Sequence, residues 1–162
     1  MKKISLVIVC AVSALLFASC QTGTREDANG NTPSSVVEKM YQAIQAKDFA
    51  MAASYNRIPD TVKIKLAEGG KIYEQFQSNP VENEKIIITS EEWKSFLIGK
   101  METLSENYSL DSWEIVSEEI SNTDPNSAKV KTKIHITTQE GKSDVECSFP
   151  LKRDNNIWLI IG

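Results

Sequence analysis

The chain has 162 residues, which is enough for one domain with a buried core. Its apolar content of 41% and charged content of 25% are those of a globular protein. The formal net charge of −4 argues against nucleic acid as a partner, because a phosphate backbone attracts basic surfaces.

The first residues have the composition of an export leader. Two lysines precede the apolar run 4–17, which is too short for an ordinary transmembrane helix. Residues 16–20 then read Leu-Phe-Ala-Ser-Cys. This stretch resembles a bacterial lipobox, and the resemblance implies that Cys20 is diacylated and that the lipoprotein signal peptide, residues 1–19, is removed. The alternative is an ordinary secretory leader that is cut near Ala18.

The segment after the leader predicts a lipid-anchored tether. Residues 21–31 are polar, lack hydrophobic periodicity and contain two glycines, so residues 20–31 are interpreted as the lipidated cysteine and a flexible tether. Gln21 resembles the outer-membrane sorting pattern of Gram-negative lipoproteins. This implies a cell-envelope protein on the outer membrane, with the membrane as a partner through the anchor at Cys20. The remaining domain is residues 32–162.

Cysteine usage leaves one thiol in that domain. Cys10 leaves with the leader and Cys20 carries the lipid, so Cys147 has no cysteine partner for an intramolecular disulfide. Cys147 falls on the apolar face of a predicted strand, where a free cysteine is typically a small inert hydrophobic residue.

Two helices are predicted at the start of the domain. Thr32 is a helix N-cap and Pro33 occupies the first helical position, where a missing N–H costs nothing. Asp48 caps a second helix, residues 49–55. Asp60 is predicted to begin a third helical segment that breaks at Gly69-Gly70.

A fourth helix follows a loop and a short apolar stretch. Ile86, Ile87 and Ile88 are a candidate strand, and Thr89 with Glu92 forms the sequence signature of a capping box. An apolar stripe then recurs at helical spacing and is interpreted as a core face. Its members are Trp93, Phe96, Leu97, Met101, Leu104 and Tyr108.

Four strands complete the chain. They are Ser112 to Ile120, Ser127 to Thr138, Lys142 to Lys152 and Asn156 to Ile161. The short connections predict an antiparallel meander. A turn at Glu140-Gly141 would place His135 opposite Glu146, and a turn at residues 154–155 would place Trp158 opposite Leu151. The fold class is therefore α+β, with three to four N-terminal helices packed on a curved four-stranded antiparallel sheet.

The alternation of apolar and polar residues predicts an inner face without catalytic groups. Its members are Val130, Thr132, Ile134, Ile136, Val145, Cys147, Phe149, Leu151, Trp158 and Ile160. This set has no carboxylate and no histidine, and His135 points outward. One histidine and one thiol do not make a metal site, and no glycine-rich phosphate loop is present, so no cofactor is expected.

The order of elements resembles a known family. The residues that carry the resemblance are Thr32-Pro33, Val37, Tyr41, Ala43, Asp48-Phe49, Ala52-Ala53 and the stretch Lys152 to Trp158. They resemble the lipoprotein branch of the nuclear transport factor 2-like (cystatin-like) superfamily, over most of residues 32–161. Members are often domains of unknown function, many from Bacteroides-type bacteria. The resemblance implies a cone of helices wrapped in a curved sheet, with a pocket inside.

Three functions stay open from the sequence. In the first, the cone binds a small apolar or amphiphilic ligand without turnover; the candidate ligand-binding residues are Tyr41, Tyr55, Tyr73, Thr132, Phe149 and Trp158. In the second, the domain binds a protein partner or a second copy of itself through the outer sheet face at Ile157, Leu159 and Ile161, unless a loop covers this end of the chain. In the third, the cone holds an unrecognised or degenerate enzyme site.

Overall fold

The computed structural model describes residues 25–58, 61–65, 81–82 and 85–161, with the backbone alone at 61–65, 81–82 and 85–88. The predicted signal peptide, the lipidation site Cys20 and the ligand candidate Tyr73 lie outside the described residues.

The first two helices begin at the predicted caps. Helix α1 spans Pro33–Gln45, and the Thr32 hydroxyl accepts the backbone N–H of Ser35 at 3.2 Å. Helix α2 spans Phe49–Ser54, and the Asp48 carboxylate accepts the backbone N–H of Met51 at 3.0 Å. Both caps satisfy N–H groups that have no partner within the helix.

A small second sheet replaces the start of the predicted third helix. Strands β1 (Thr61–Lys65), β2 (Val81–Glu82) and β3 (Lys85–Thr89) form an antiparallel sheet in the order β1-β3-β2. The helix prediction is wrong for β1, where Val62 and Ile64 alternate with two lysines after Thr61, a pattern that favours a strand. The strand predicted around residues 86–88 is confirmed.

Helix α3 spans Ser90–Asn107 and begins with the predicted capping box. Thr89 Oγ1 accepts the backbone N–H of Glu92 at 3.3 Å, and Glu92 Oε2 accepts the backbone N–H of Thr89 at 2.8 Å. The prediction of a core face is wrong, because no residue of α3 is buried and Leu104 is 54% exposed. The helix contacts α2, the small sheet and the edge of the main sheet, so its stripe stays at the margin of the core.

The main sheet is the predicted antiparallel meander. Its strands are β4 (Tyr108–Ile120), β5 (Ser127–Thr138), β6 (Gly141–Asp154) and β7 (Ile157–Ile160), in that order across the sheet. Helix α1 packs on one face of this sheet and contacts β4, β5 and β7. The α+β fold class is therefore confirmed.

Both hairpin registers differ from the prediction by two residues. In the first hairpin Thr138 pairs with Gly141 and His135 pairs with Asp144, since the chain turns at residues 139–140 and Gly141 takes a φ of +124°. In the second, Asn155 and Asn156 both have positive φ and form the turn. A shift by two residues leaves every side chain on its predicted face.

In the second hairpin this shift pairs Trp158 with Arg153 and Leu151 with Ile160, instead of the predicted pairing of Trp158 with Leu151.

Two irregularities in β4 change which of its residues face inward. The register shifts between Leu110 and Ser112 and again between Ile115 and Ser117, which is the mark of a β-bulge. After the second shift Glu118 pairs with the inward-facing Val130. The inner face predicted from the sequence covered β5, β6 and β7 only, so it did not include this carboxylate of β4.

The core lies between α1 and one half of the main sheet. The buried side chains of α1 and Ala52 of α2 pack against buried residues of β5, β6 and β7. These residues are Val36, Val37, Met40, Tyr41, Ala43, Ala52, Ala128, Val130, Leu151, Trp158 and Ile160. The rest of the inner face is only partly covered, and the candidate site lies on this partly covered region.

Candidate functional site

The inner face of the main sheet changes from buried to half-open along its strands. On β5, Thr132 is buried at 1% exposure, whereas Ile134 and Ile136 are half-buried. On β6, Cys147 is half-buried and Val145 is 37% exposed. An exposed apolar surface beside a buried core is a usual feature of ligand-binding clefts. We call these four half-covered positions, 134, 136, 145 and 147, the open face.

A pair of buried hydroxyl groups lies where the core meets the open face. The hydroxyls of Tyr41 and Thr132 share a hydrogen bond of 2.8 Å. The Tyr41 ring lies 5.5 Å from the ring of Trp113 and meets the ring of Phe149 edge-on at 5.8 Å. Helix α1 therefore brings a polar group into an aromatic cluster on the sheet.

The environment keeps Tyr41 in its neutral form. Burial raises the pKa of the Tyr41 hydroxyl far above its ordinary value of 10.0. The hydrogen bond to Thr132 acts to lower this pKa, and the neighbouring Cys147 thiol raises it further. A neutral phenol can both donate and accept a hydrogen bond, so the pair could orient a polar group of a ligand but does not supply a base.

Two of the other ligand candidates, Trp158 and Tyr55, make structural contacts within the domain. Trp158 is buried, its indole Nε1 donates to the carbonyl of Arg25 at 2.9 Å, and the Arg153 guanidinium lies 4.5 Å from the centre of its ring. Tyr55 packs half-buried against the core, and its carbonyl accepts the backbone N–H of Ile160. The structure thus brings together Tyr41, Thr132 and Phe149, and places Trp158 in a different contact.

The interface candidates lie on β7 and just after it. Ile157 is 37% exposed, while Leu159 and Ile161 are half-buried. The outer edge of β7 is covered by the chain itself, because Ile160 N donates to the Tyr55 carbonyl at 2.9 Å and Arg57 N donates to the Ile160 carbonyl at 2.7 Å. Covering an edge in this way removes groups that another strand would pair with.

Residues 25–31 were expected to belong to a flexible tether, but they pack on the domain. The Asp27 carboxylate accepts the backbone N–H groups of Asn29 and Asn31, each at 2.8 Å, and that of Trp158 at 3.1 Å. Ala28 N donates to the Asn156 carbonyl at 2.9 Å. We call residues 25–31 the clasp. Its local signal is an aspartate followed by Asn and Gly, which is typical of a turn closed by the side chain.

The clasp also reaches the inward-facing carboxylate of β4. Arg25 Nε lies 3.4 Å from Glu118 Oε1, and Glu118 Oε2 accepts the backbone N–H of Ser34 at 2.8 Å. The carboxylate therefore lies at the N-terminus of α1, where negative charge is stabilised. Glu118 is occupied by structural contacts with the clasp and the helix.

Hydrogen bonds determine the ionisation of Asp27. Burial acts to raise the pKa of its carboxyl group. Hydrogen bonds from Asn31, Trp158 and Asn29 oppose this effect and hold the pKa of Asp27 below its ordinary value of 3.8. The buried carboxylate is therefore charged in the folded protein at neutral pH.

The outer face of the sheet carries a charged cluster that includes the histidine. Asp144 lies 2.8 Å from Lys133 Nζ and 2.7 Å from His135 Nδ1, instead of the predicted pairing of His135 with Glu146. The hydrogen bonds from Lys133 and His135 lower the pKa of Asp144, and the hydrogen bond to Asp144 raises that of Lys133. All three groups are substantially exposed, so the cluster is a solvated surface.

A separate cavity of about 670 Å³ runs along α3, lined by Glu91, Glu92, Ser95, Phe96, Gly99, Lys100, Glu102 and Thr103. None of the ligand candidates in the described chain lines it. Among the described residues, no group of three or more His, Cys, Asp or Glu is placed to hold a metal ion. The helices within the described ranges are each too short or too polar to cross a membrane.

The similarity of this chain to known proteins concerns the fold alone. No protein-family model matches the sequence, and no curated protein matches it. The solution structure of a SEC-C motif containing protein from Rhodopseudomonas palustris is similar, with a TM-score of 0.53 and 8% identity over 92% of this chain and 84% of that chain.

Two further structures are more distant. An NTF-2-like protein of unknown function from Shewanella oneidensis has a TM-score of 0.47 and 10% identity over 79% of this chain and 91% of that chain. A DUF4783 family protein from Bacteroides ovatus has a TM-score of 0.40 and 14% identity over 76% of this chain and 86% of that chain.

Proposed function

We propose that this chain is a non-enzymatic lipoprotein of the cell envelope that binds a small apolar or amphiphilic ligand on the open face of its main sheet. One observation carries the proposal: the apolar inner face continues beyond the helix that covers it, from buried Thr132 to the exposed side chain of Val145. A contiguous, incompletely buried apolar surface of this kind often marks a ligand-binding or interaction site.

The chemistry of the open face favours an apolar group with a polar end. Covering Ile136 and Val145 would remove apolar surface from water, at about 25 cal/mol for each Å². The Tyr41 and Thr132 hydroxyls each retain hydrogen-bonding capacity beyond their mutual bond. Half-buried Phe149 meets the Tyr41 ring edge-on, and half-buried Cys147 pairs with Thr132 across the strands, so both side chains neighbour this pair.

The arrangement of titratable groups supports binding without catalysis. Proton transfer requires a titratable group within hydrogen-bond reach of the substrate. Glu118 is held by Ser34 and Arg25 away from the open face, and His135 is on the outer face with Asp144. Tyr41 is held neutral, so it does not serve as a base at physiological pH.

Attachment to the outer membrane is proposed from the sequence pattern at residues 16–21. Metabolic labelling with a palmitate analogue, followed by vesicle flotation, tests it. We expect the wild-type chain to be labelled and to float, and Cys20→Ala to lose the label. Unlabelled wild-type protein in a host that lipidates a control lipoprotein would contradict the anchor.

A fluorescent fatty-acid analogue tests the binding site. We expect a saturable signal with energy transfer from tryptophan, since Trp113 lies in the aromatic cluster beside Tyr41. Cys147→Leu should weaken binding because it fills space on the open face, and Ser148→Leu, which adds the same side chain to the outer face, should not. The absence of saturable binding, or equal weakening by both variants, would contradict the proposal.

A second candidate is a protein interface on the outer face of β7. The exposed side chain of Ile157 next to half-buried Leu159 favours it. The covered outer edge of β7 restricts such a partner to the face of the sheet.

A further inference from the structure

The clasp begins very close to the residue that the proposed function acylates. Residues 21–24 separate Cys20 from Arg25, the first described residue, whose carbonyl accepts the indole N–H of Trp158. Even a fully extended chain spans about 18 Å over the five steps from Cys20 to Arg25. A domain held by the clasp therefore cannot move far from its anchor.

The clasp contacts one end of the main sheet. Arg25 accepts from the indole of Trp158 and pairs with Glu118, and Ala28 donates to the turn at Asn156. The loop 121–126 is at the same end, because the first residue of β5 pairs with Lys152 near the end of β6. We call the loop 121–126, the turn at Asn155-Asn156 and the start of α1 the clasp end.

The opposite end of the sheet carries the open face. It is formed by the turn at residues 139–140 and by the junction of α3 with β4, where Tyr108 pairs with Thr138. Ile136 and Val145 lie toward this end. Strand β5 has twelve residues, so the two ends are up to about 36 Å apart along the strand direction. We call it the distal end.

We infer that the clasp end is the surface that faces the membrane, and that the distal end, with the opening of the ligand site, points away from it. The inference rests on the proposed acylation of Cys20. Its partner is the headgroup layer of the bilayer that holds the acyl chains.

The charges do not select one end of the sheet. At the clasp end, Arg57 pairs with Asp154 at 3.1 Å and Lys152 with Asp124 at 3.8 Å, while Glu26 and Glu119 are exposed. At the distal end, exposed Glu106 and Glu140 are accompanied by exposed Lys142. The short connection between Cys20 and the clasp therefore carries the inference.

Energy transfer to the bilayer surface tests the orientation. The protein is the mature chain 20–162, which contains every described residue, with Cys147→Ala so that Cys20 carries the reactive thiol. Cys20 is coupled to a maleimide lipid in vesicles of phosphatidylcholine and phosphatidylglycerol with rhodamine-labelled headgroups. A donor dye is attached to p-azidophenylalanine in place of either Asn122, at the clasp end, or Gln139, at the distal end; both positions are exposed.

We expect transfer from position 122 to exceed that from position 139 by about twofold or more, because the two positions differ in height by up to about 36 Å. A Gly-Ser linker of about 20 residues, with an average span of about 25 Å, inserted between Thr24 and Arg25 should abolish the difference while it leaves the clasp intact. Equal transfer from the two positions without the linker, or greater transfer from position 139, would overturn the inference.

Because Cys20 is coupled to the lipid chemically, the result of this test does not depend on whether cells acylate Cys20. If cells do not acylate Cys20, flotation of the cellular protein fails, while the coupled chain still reports which end faces the bilayer. The unfolding transition of each labelled protein, compared with that of the unlabelled chain, shows that the dye has not disrupted the domain.

Discussion

The carboxylate of Asp27 accepts a hydrogen bond of 3.1 Å from the backbone N–H of Trp158, which joins the segment before the first helix to the last strand. The same carboxylate also accepts hydrogen bonds from the backbone N–H groups of Asn29 and Asn31, which closes the turn that follows Asp27. One side chain that is only 7% exposed thus ties the clasp to the domain.

Asp27→Ala should lower the free energy of unfolding by about 1–3 kcal/mol, because it leaves a buried backbone N–H without its acceptor. Urea denaturation measures this loss. The matched control is Glu26→Ala, which truncates an exposed neighbour and should change the free energy by less than about 0.5 kcal/mol. Equal effects of the two variants would contradict a specific contribution of the Asp27 carboxylate to stability.

The contribution of Asp27 should depend on pH in a defined direction. The pKa of this carboxyl group is lowered on folding from its ordinary value of 3.8. Its stabilising effect is therefore present above pH 3.8 and is lost as the pH falls through the lower pKa of the folded state.

Urea denaturation of the wild type and Asp27→Asn from neutral pH to about pH 2.5 checks this dependence. We expect the difference in unfolding free energy between the two proteins to be constant near neutral pH and to shrink in acid. A difference that grows as the pH falls would contradict the assigned ionisation.

The hydroxyls of Tyr41 and Thr132 should be energetically coupled. Tyr41→Phe and Thr132→Val each remove one partner of a buried hydrogen bond, and each should cost about 1–3 kcal/mol of unfolding free energy. The double variant leaves neither hydroxyl unpaired, so its cost should be about 1 kcal/mol less than the sum. Strictly additive costs, measured by urea denaturation, would show that the pair does not act as a unit.

The outer face of β7 offers a separate test of self-association. Because Tyr55 and Arg57 cover the strand edge, we expect the chain 20–162 to elute as a monomer at high micromolar concentration. Leu159→Asp should leave that elution unchanged. A dimer that Leu159→Asp dissociates would instead support the protein interface on this face.

Local signals predicted much of the fold. The caps at Thr32, Asp48 and Thr89 depend on residues within three positions, and each begins its helix where expected. The two-residue alternation of β5 and β6 also assigned side chains to the correct faces, because that assignment survives a register shift of two.

Other features depend on interactions that the local pattern does not contain. The register of each hairpin follows from which residues take positive φ. Asn155 and Asn156 adopt positive φ more readily than the predicted turn pair, Asp154 and Asn155. The bulge before Ser117 reverses the face of Glu118, and no alternation rule marks an inserted residue. The clasp could not be predicted, because Asp27 and Trp158 are distant in sequence and each was assigned to another role.

The most direct test of the account compares the same added charge on the two faces of β6. Val145→Glu places a carboxylate on the open face, and Ser148→Glu places one on the outer face opposite Lys131. Titration of the fluorescent fatty-acid analogue should show affinity reduced about tenfold or more by Val145→Glu, since a carboxylate opposes both the apolar chain and its acidic head, and unchanged by Ser148→Glu. Equal affinity in the two variants, or loss only in Ser148→Glu, would contradict a ligand site on the inner face of the sheet.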